Sequence, residues 1–289
     1  MKFWQNLSWI ETDQLIGVAK FAEEVGFEGV MDGDHVAFPE PLRTPYPYTP
    51  DGKPPMNSDW SYPDNFASAA AIGALTTRLR YATDIFVLPA RNPLMVAKAA
   101  GTVAILSNHR FVLGVAAGWM KDEFELAGVD FFTRGQRMDE MIEVMRKLWL
   151  GGLVEHRGEF FDIPPLHMEP SPKRLVPVYA GGTSKPALRR AATLCDGWFN
   201  AANTPDELVG LMAELRRLRT EAGRDRLPFE SIVALSTPPS LDDFKRAEDA
   251  GVDGILAYPP MFALGPISAL DQKKQVMEQF AESFIRKMP

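Results

Sequence analysis

Four short stretches of this sequence carry residue types that could do chemistry. Asp32-Gly33-Asp34-His35 sets two carboxyls and an imidazole within four residues, a combination able to hold and pass a proton near neutral pH. Tyr81-Ala82-Thr83-Asp84-Ile85 puts a hydroxyl and a carboxyl inside an otherwise apolar run. Burying them is costly unless partners or an open cavity satisfy them, which suggests an irregular strand or a bulge. Trp119-Met120-Lys121-Asp122-Glu123 offers an indole that can floor a planar ligand, beside two acids that can bind or protonate one. Gly181-Gly182-Thr183-Ser184 joins bare backbone to two hydroxyls just ahead of a helical pattern, which can cradle a phosphate. It has neither the Gly-Lys-Thr ending of a P-loop nor the three-glycine dinucleotide spacing. Each stretch also has a plain role open to it: a turn or cap at Asp32 to His35, a solvated helix start at Glu123, a Ser cap at Ser184. Position in the fold must decide.

Other chemistries find little support. His35, His109, His156 and His167 fall in unrelated segments with no His-x-x-x-His spacing, so no metal site is expected. The single cysteine, Cys195, reads as a small packing residue. The strands offer no mid-barrel lysine for Schiff-base chemistry.

The elements that must position these residues announce themselves as a repeat. Phe21-Ala-Glu-Glu-Val-Gly-Phe-Glu-Gly-Val-Met31 and Arg246-Ala-Glu-Asp-Ala-Gly-Val-Asp-Gly-Ile-Leu256 match in residue class at nearly every position, and Thr193 to Phe199 is a partial third copy. In both full copies an amphipathic helix runs into a glycine placed to end it, and a short apolar strand follows. With that template, strands are expected near 2–7, 28–33, 80–88, 111–116, 176–181, 196–200, 230–236 and 253–258. Helical periodicity fills 12–25, 64–76, 94–107, 134–149, 184–194, 205–221, 240–250 and 268–286. Thr204-Pro-Asp-Glu207 marks one helix start as a capping box, and Ser240 with Asp243 and Ser268 with Asp271 are weaker caps. Eight apolar strands, each followed by a helix, make a (β/α)8 TIM barrel of the α/β class, whose chemistry sits at the C-terminal strand ends. All four stretches above lie at such ends.

Two segments break the pattern. Residues 36–63 hold eight of the 24 prolines with Tyr46, Tyr48, Trp60 and Tyr62, and a connection of that length in a compact domain is usually a lid or binding loop. Residues 151–174, with Val154 to Phe161 reading as a short hairpin, form an insertion before strand five. Residues 1–289 are therefore read as a single barrel domain with insertions after strand 2 and before strand 5. The net charge of −7 argues against a nucleic-acid partner. No apolar run approaches the ~18 residues of a membrane helix, and the polar start lacks a signal core, so a cytoplasmic location is expected.

Taken with these segments, the chain resembles the bacterial luciferase-like monooxygenase superfamily, in its coenzyme F420-dependent oxidoreductase branch. The resemblance is carried by Glu28 to His35, Leu79 to Pro93, Val96 to Lys98, Leu106 to Arg110, Leu113 to Phe124, Arg134 to Glu140, Ala180 to Ser184 and Arg189 to Trp198. It implies a cofactor, F420 or alternatively FMN, held at the C-terminal mouth by Asp34, Thr83, Asp84, Trp119, Asp122, Gly181, Gly182, Thr183 and Ser184. A strand-three bulge with a non-prolyl cis peptide matches Thr83-Asp84. His35, Asp34 and Glu123 are the implied catalytic residues. Where some F420 enzymes place a glutamate acid after strand four, this chain has Trp119, so His35 is the first choice of proton donor and Glu123 the second. The implied reaction is hydride transfer to or from an apolar or aromatic small molecule by a homodimer; an FMN monooxygenase would instead need O2 and a separate flavin reductase.

Overall fold

Runs such as Gly29-Val-Met-Asp32 and Gly254-Ile-Leu-Ala257 are buried at every position, as strands covered on both faces must be. The structure, a computed structural model, describes residues 1–265 and 267–288. Its strands are β1 (Lys2–Asn6), β2 (Gly29–Asp32), β3 (Arg80–Thr83), β4 (Phe86–Val87), β5 (Phe111–Ala116), β6 (Leu153–Arg157), β7 (Asp162–His167), β8 (Val178–Gly181), β9 (Gly197–Asn203), β10 (Glu230–Leu235) and β11 (Gly254–Ala257). Its helices are α1 (Leu15–Val25), α2 (Asn65–Leu75), α3 (Pro93–Leu106), α4 (Lys121–Leu126), α5 (Arg134–Leu150), α6 (Lys185–Leu194), α7 (Pro205–Glu221), α8 (Leu241–Ala250), α9 (Pro259–Leu264) and α10 (Leu270–Ser283). All pairings in the main sheet are parallel, and it closes in the order β1, β2, β3, β5, β8, β9, β10, β11 and back to β1, with Lys2 opposite Gly254. This is the expected eight-strand barrel, closed by strands from the two ends of the chain. No helix among the described residues is long and apolar enough to cross a membrane.

Strand alternation sorts the side chains into two cores. Trp4, Met31, Ala82, Val112, Tyr179, Phe199, Ile232 and Leu256 fill the lumen. Their neighbours Phe3, Val30, Tyr81, Phe111, Leu113, Val178, Trp198, Val233 and Ile255 pack outward against the helices. The full junction copies behave as read: α1 ends at Gly26 with φ +103 and α8 at Gly251 with φ +100, left-handed positions that favour glycine. The partial copy also runs from helix through a turn to a strand, but α6 ends at Cys195 in extended conformation, with that thiol buried in the outer core.

Several expectations are corrected. The irregularity expected in strand three is a full interruption: within 80–88 it breaks after Thr83, resumes at Phe86 and turns into a short 3-10 segment at Leu88–Ala90. The non-prolyl cis peptide lies at Asp84–Ile85, one bond beyond Thr83-Asp84. Ser268 does not cap α10; the cap residue is Ala269, whose N–H is bonded by the Gln272 side chain at 3.1 Å. The hairpin in the 151–174 segment is longer than read, with β6 and β7 flanking a turn at 158–161. Glu140 on α5 accepts the Glu159, Phe160 and Phe161 N–H groups there and docks it. The Thr204 box and the Ser240 cap form as expected.

Candidate active site

The C-terminal ends of β2, β3, β5 and β8 face one mouth, and the 36–63 segment folds over it. At the tip of β2, the Gly33 N–H donates to Ser8 Oγ at 2.9 Å and the Gly33 carbonyl accepts from Asn65 Nδ2 at 2.9 Å. That fixes the backbone from which Asp34 and His35 project. Asp34 accepts from the Val87 N–H at 2.9 Å and from Arg91 Nη2 at 2.9 Å and 3.0 Å. Burial still pushes its carboxyl above the ordinary range, with Arg91 opposing. The salt bridge ties β2 to the turn after β4, so Asp34 braces the interrupted strand.

His35 Nδ1 lies 3.0 Å from Glu123 Oε2, and the other Glu123 oxygen accepts the Val36 N–H at 2.8 Å. A carboxylate engaged in this way orients the imidazole and leaves Nε2 as the nitrogen for exchange. Aromatic rings surround it. Phe38 lies 4.6 Å away, Tyr62 5.0 Å edge-on and Trp119 6.1 Å, and Tyr46 stands 4.9 Å from Trp119. Tyr62 accepts the Trp9 indole N–H at 2.7 Å, and burial pushes its phenol up to about 12.

Asp122, the neighbour of Glu123, is fully engaged by the covering segment. Its oxygens accept from Arg43 Nε at 2.9 Å, the Thr44 N–H at 2.9 Å and the Thr44 hydroxyl. Burial alone would raise its carboxyl, but Thr44 and Arg43 hold it down to about 2. Asp122 therefore anchors the segment, while Glu123 serves His35.

The bulge behaves differently from its first residue. Thr83 is fully buried, and its hydroxyl donates to the Gly114 carbonyl at 2.6 Å, on the helix-covered side of the strand. Its side chain is not brought to the mouth. Asp84 is half-buried, and burial pushes its carboxyl up to about 6. Ile85 packs on the lumen core and against Gly181, where a Cβ would come within 2.5 Å of its Cδ1. Bare backbone at Gly181 is thus what admits the bulge. Beyond it Gly182 takes φ +106, its carbonyl accepts the Trp198 indole N–H at 2.9 Å, and Ser184 caps α6. Thr183, Ser184 and Lys185 are exposed there, with the positive end of α6 among them.

Residues 4–280 match the model of the luciferase-like monooxygenase domain. The chain belongs to this family. An uncharacterized protein of Mycobacterium tuberculosis strain H37Rv is 41% identical over 275 residues, 94% of this chain and 95% of its own. Among solved structures, the F420-dependent tetrahydromethanopterin reductase of Methanopyrus kandleri superposes with a TM-score of 0.78 at 15% identity, over 100% of this chain and 99% of that one. The oxygenating constituent of 3,6-diketocamphane monooxygenase of Pseudomonas putida, in complex with FMN, gives 0.64 at 18% over 81% and 66%. Luciferase-like enzymes are oxidoreductases and monooxygenases, and those two similar structures are of an F420-dependent and an FMN-binding protein.

Sequence reasoning missed the partners of the acids: Arg91 for Asp34, and Arg43 with Thr44 for Asp122. A signal existed, since a carboxyl at a buried strand end calls for a cation, and Arg91 stands inside the Leu79 to Pro93 stretch. Nothing local pointed to Arg43, which lies 79 positions from its acid.

Proposed function

We propose that this luciferase-like protein is an F420-dependent oxidoreductase that moves a hydride to or from an apolar or aromatic small molecule. The observation that carries the reading is His35, oriented by Glu123 and walled by Phe38, Tyr46, Tyr62 and Trp119 at the barrel mouth. The residues present fit a ringed, phosphate-bearing cofactor: the bulge at Asp84–Ile85, admitted by the bare backbone of Gly181, offers a wall for a flat ring, and the exposed Thr183 to Lys185 turn suits an anionic tail. When bound, the deazaflavin supplies or takes up the hydride. His35 Nε2 gives or removes the accompanying proton, Glu123 holds the ring in place, and the covering segment anchored by Asp122 keeps water out. Trp119 and Tyr46 select flat or apolar substrates. A homodimer belongs to the same reading, with exposed Leu75, Met95, Ile105 and Leu106 on α2 and α3 offering an apolar face.

Titration of the purified protein with F420 and with FMN tests the proposal. F420 binding with hydride exchange to a small carbonyl or aromatic compound is the expected result. FMN binding with O2 uptake that depends on reduced flavin would replace it by the monooxygenase reading, and failure to bind either would overturn both.

A further inference from the structure

Behind the tip that carries His35 lies an acid the mechanism does not use. Alternation along β2 sends Met31 into the lumen and Asp32, like Val30, to the face covered by helices. Asp32 is fully buried, and neither of its carboxyl oxygens has a hydrogen-bond partner among the described residues. Two neighbours share the condition. Tyr81, on the adjoining strand, has an unpartnered hydroxyl, and Asn65, at the start of α2, has an unpartnered side-chain carbonyl. The Asn65 amide donates to the carbonyl of Gly33, the residue after Asp32, at 2.9 Å, and Tyr81, paired with Val30, lies on the same face of the sheet as Asp32.

Counting donors decides what this cluster lacks. With Asp32 ionised, its two oxygens and Asn65 Oδ1 only accept, and the Tyr81 O–H on that face bonds none of them. Among the described residues no cation balances the charge: the titratable groups that act on Asp32 are Asp34 at the tip, Asp84 on the bulge, Tyr81 on β3 and Tyr62 on the covering segment, with Asp64 of α2 acting on Tyr81. The Arg91 guanidinium is bound to Asp34. An ionised carboxyl buried among such neighbours is strongly unfavourable, whereas a proton on it provides the missing donor.

We infer that Asp32 is a positioning residue for His35: as a neutral acid it donates a hydrogen bond to the unpartnered Asn65 carbonyl, and Asn65 passes the constraint to the Gly33 carbonyl from which the Asp34 and His35 tip extends. Burial, reinforced by Asp34 and Asp84, pushes its carboxyl up to about 8, and the Gly33 N–H, already donated to Ser8, offsets only part of this. The role of His35 in this inference rests on the function proposed above. An acid whose folded pKa is raised adds stability that is complete below its unfolded value and is lost as pH rises through the folded one. Stability and tip order therefore decline together toward about pH 8.

The test compares the full-length protein with Asp32→Asn and Asp32→Ala between about pH 5 and pH 9, by thermal unfolding, backbone hydrogen exchange and kinetics. The Asn side chain keeps a donor without a titratable proton. Wild type is expected to lose unfolding temperature relative to Asp32→Asn as pH rises, while Asp32→Asn keeps its kcat within about threefold and stays flat across the range. Asp32→Ala is expected to lose roughly 10-fold to 100-fold in kcat at little changed KM and to exchange the Gly33 to His35 amides faster. Parallel unfolding curves for wild type and Asp32→Asn, or unchanged exchange and kcat in Asp32→Ala, would overturn the inference. If no variant turns over F420 or FMN, the proposed function fails, and the unfolding and exchange data still decide the fate of Asp32.

Discussion

The two ends of the barrel hold charged clusters of opposite character. At the N-terminal floor, Glu230 is bound by Lys2 at 2.5 Å, by Arg80 at 2.9 Å and by the Tyr179 hydroxyl at 2.5 Å, while Arg80 also reaches Glu28 at 3.3 Å and lies over the Trp4 ring. Each charge there has an opposite one. Burial would raise the Glu230 carboxyl, but Arg80, Lys2 and Tyr179 hold it down to about 2. At the C-terminal end, Asp32 behind the β2 tip and Asp84 on the bulge are pushed up instead, to about 8 and about 6, and the His35 ring has Glu123 on one nitrogen only. The same kind of side chain is thus held as a paired carboxylate at one end and pushed toward its neutral form at the other. What separates them is whether a cation of the chain arrives beside the acid.

That contrast can be broken or sharpened by substitution. His35→Ala is expected to lower kcat by about 10²-fold to 10⁴-fold while leaving the urea midpoint close to that of wild type; a loss below tenfold in steady-state turnover would dissolve the distinction from the mouth side. Glu230→Ala strands the Arg80 guanidinium in the floor and is expected to cost about 3–5 kcal/mol in urea unfolding, with cofactor affinity of the folded protein unchanged. Weakened cofactor binding in that variant would show that the floor is not merely structural.

Acid titration separates the ends further. Because the folded Glu230 carboxyl is depressed, its contribution is present above the unfolded value of about 4.3 and is lost as pH falls toward about 2. Unfolding temperature should therefore drop less steeply below about pH 4 in Glu230→Gln than in wild type. At the edge of the mouth, Asp122→Ala releases Arg43 and Thr44 and is expected to raise KM roughly tenfold with kcat nearly intact, since the residue holds the cover and not the reacting groups. The smallest effect belongs to a site in neither cluster: Thr204→Ala removes the α7 cap for about 1 kcal/mol, with no change in either kinetic constant.

Legibility in the sequence followed the range of the interaction. The junction glycines at 26 and 251, the Thr204 box and the doubly buried strands were readable because each is dictated by residues within a turn of one another. Strand three was readable as irregular, since Thr83 and Asp84 interrupt an apolar run, but the bond carrying the cis peptide was not. The cap at Ser268 failed for a related reason: Gln272 reaches the Ala269 N–H first, and Ser268 lies one residue too early.

What the sequence determined by itself is the eight-fold alternation of strand and helix and the four stretches that end at the mouth, because periodicity, caps and turn residues act over a few positions. Only the tertiary structure decided what each acid became. His35 meets Glu123 across 88 positions, Asp122 meets Arg43 across 79 and Asp34 meets Arg91 across 57. Those pairings, and the strand parity that turns Asp32 away from the lumen, exist only once the barrel has closed. A carboxyl's charge depends on the donors and cations around it in space, and closure of the barrel is what supplies or withholds them.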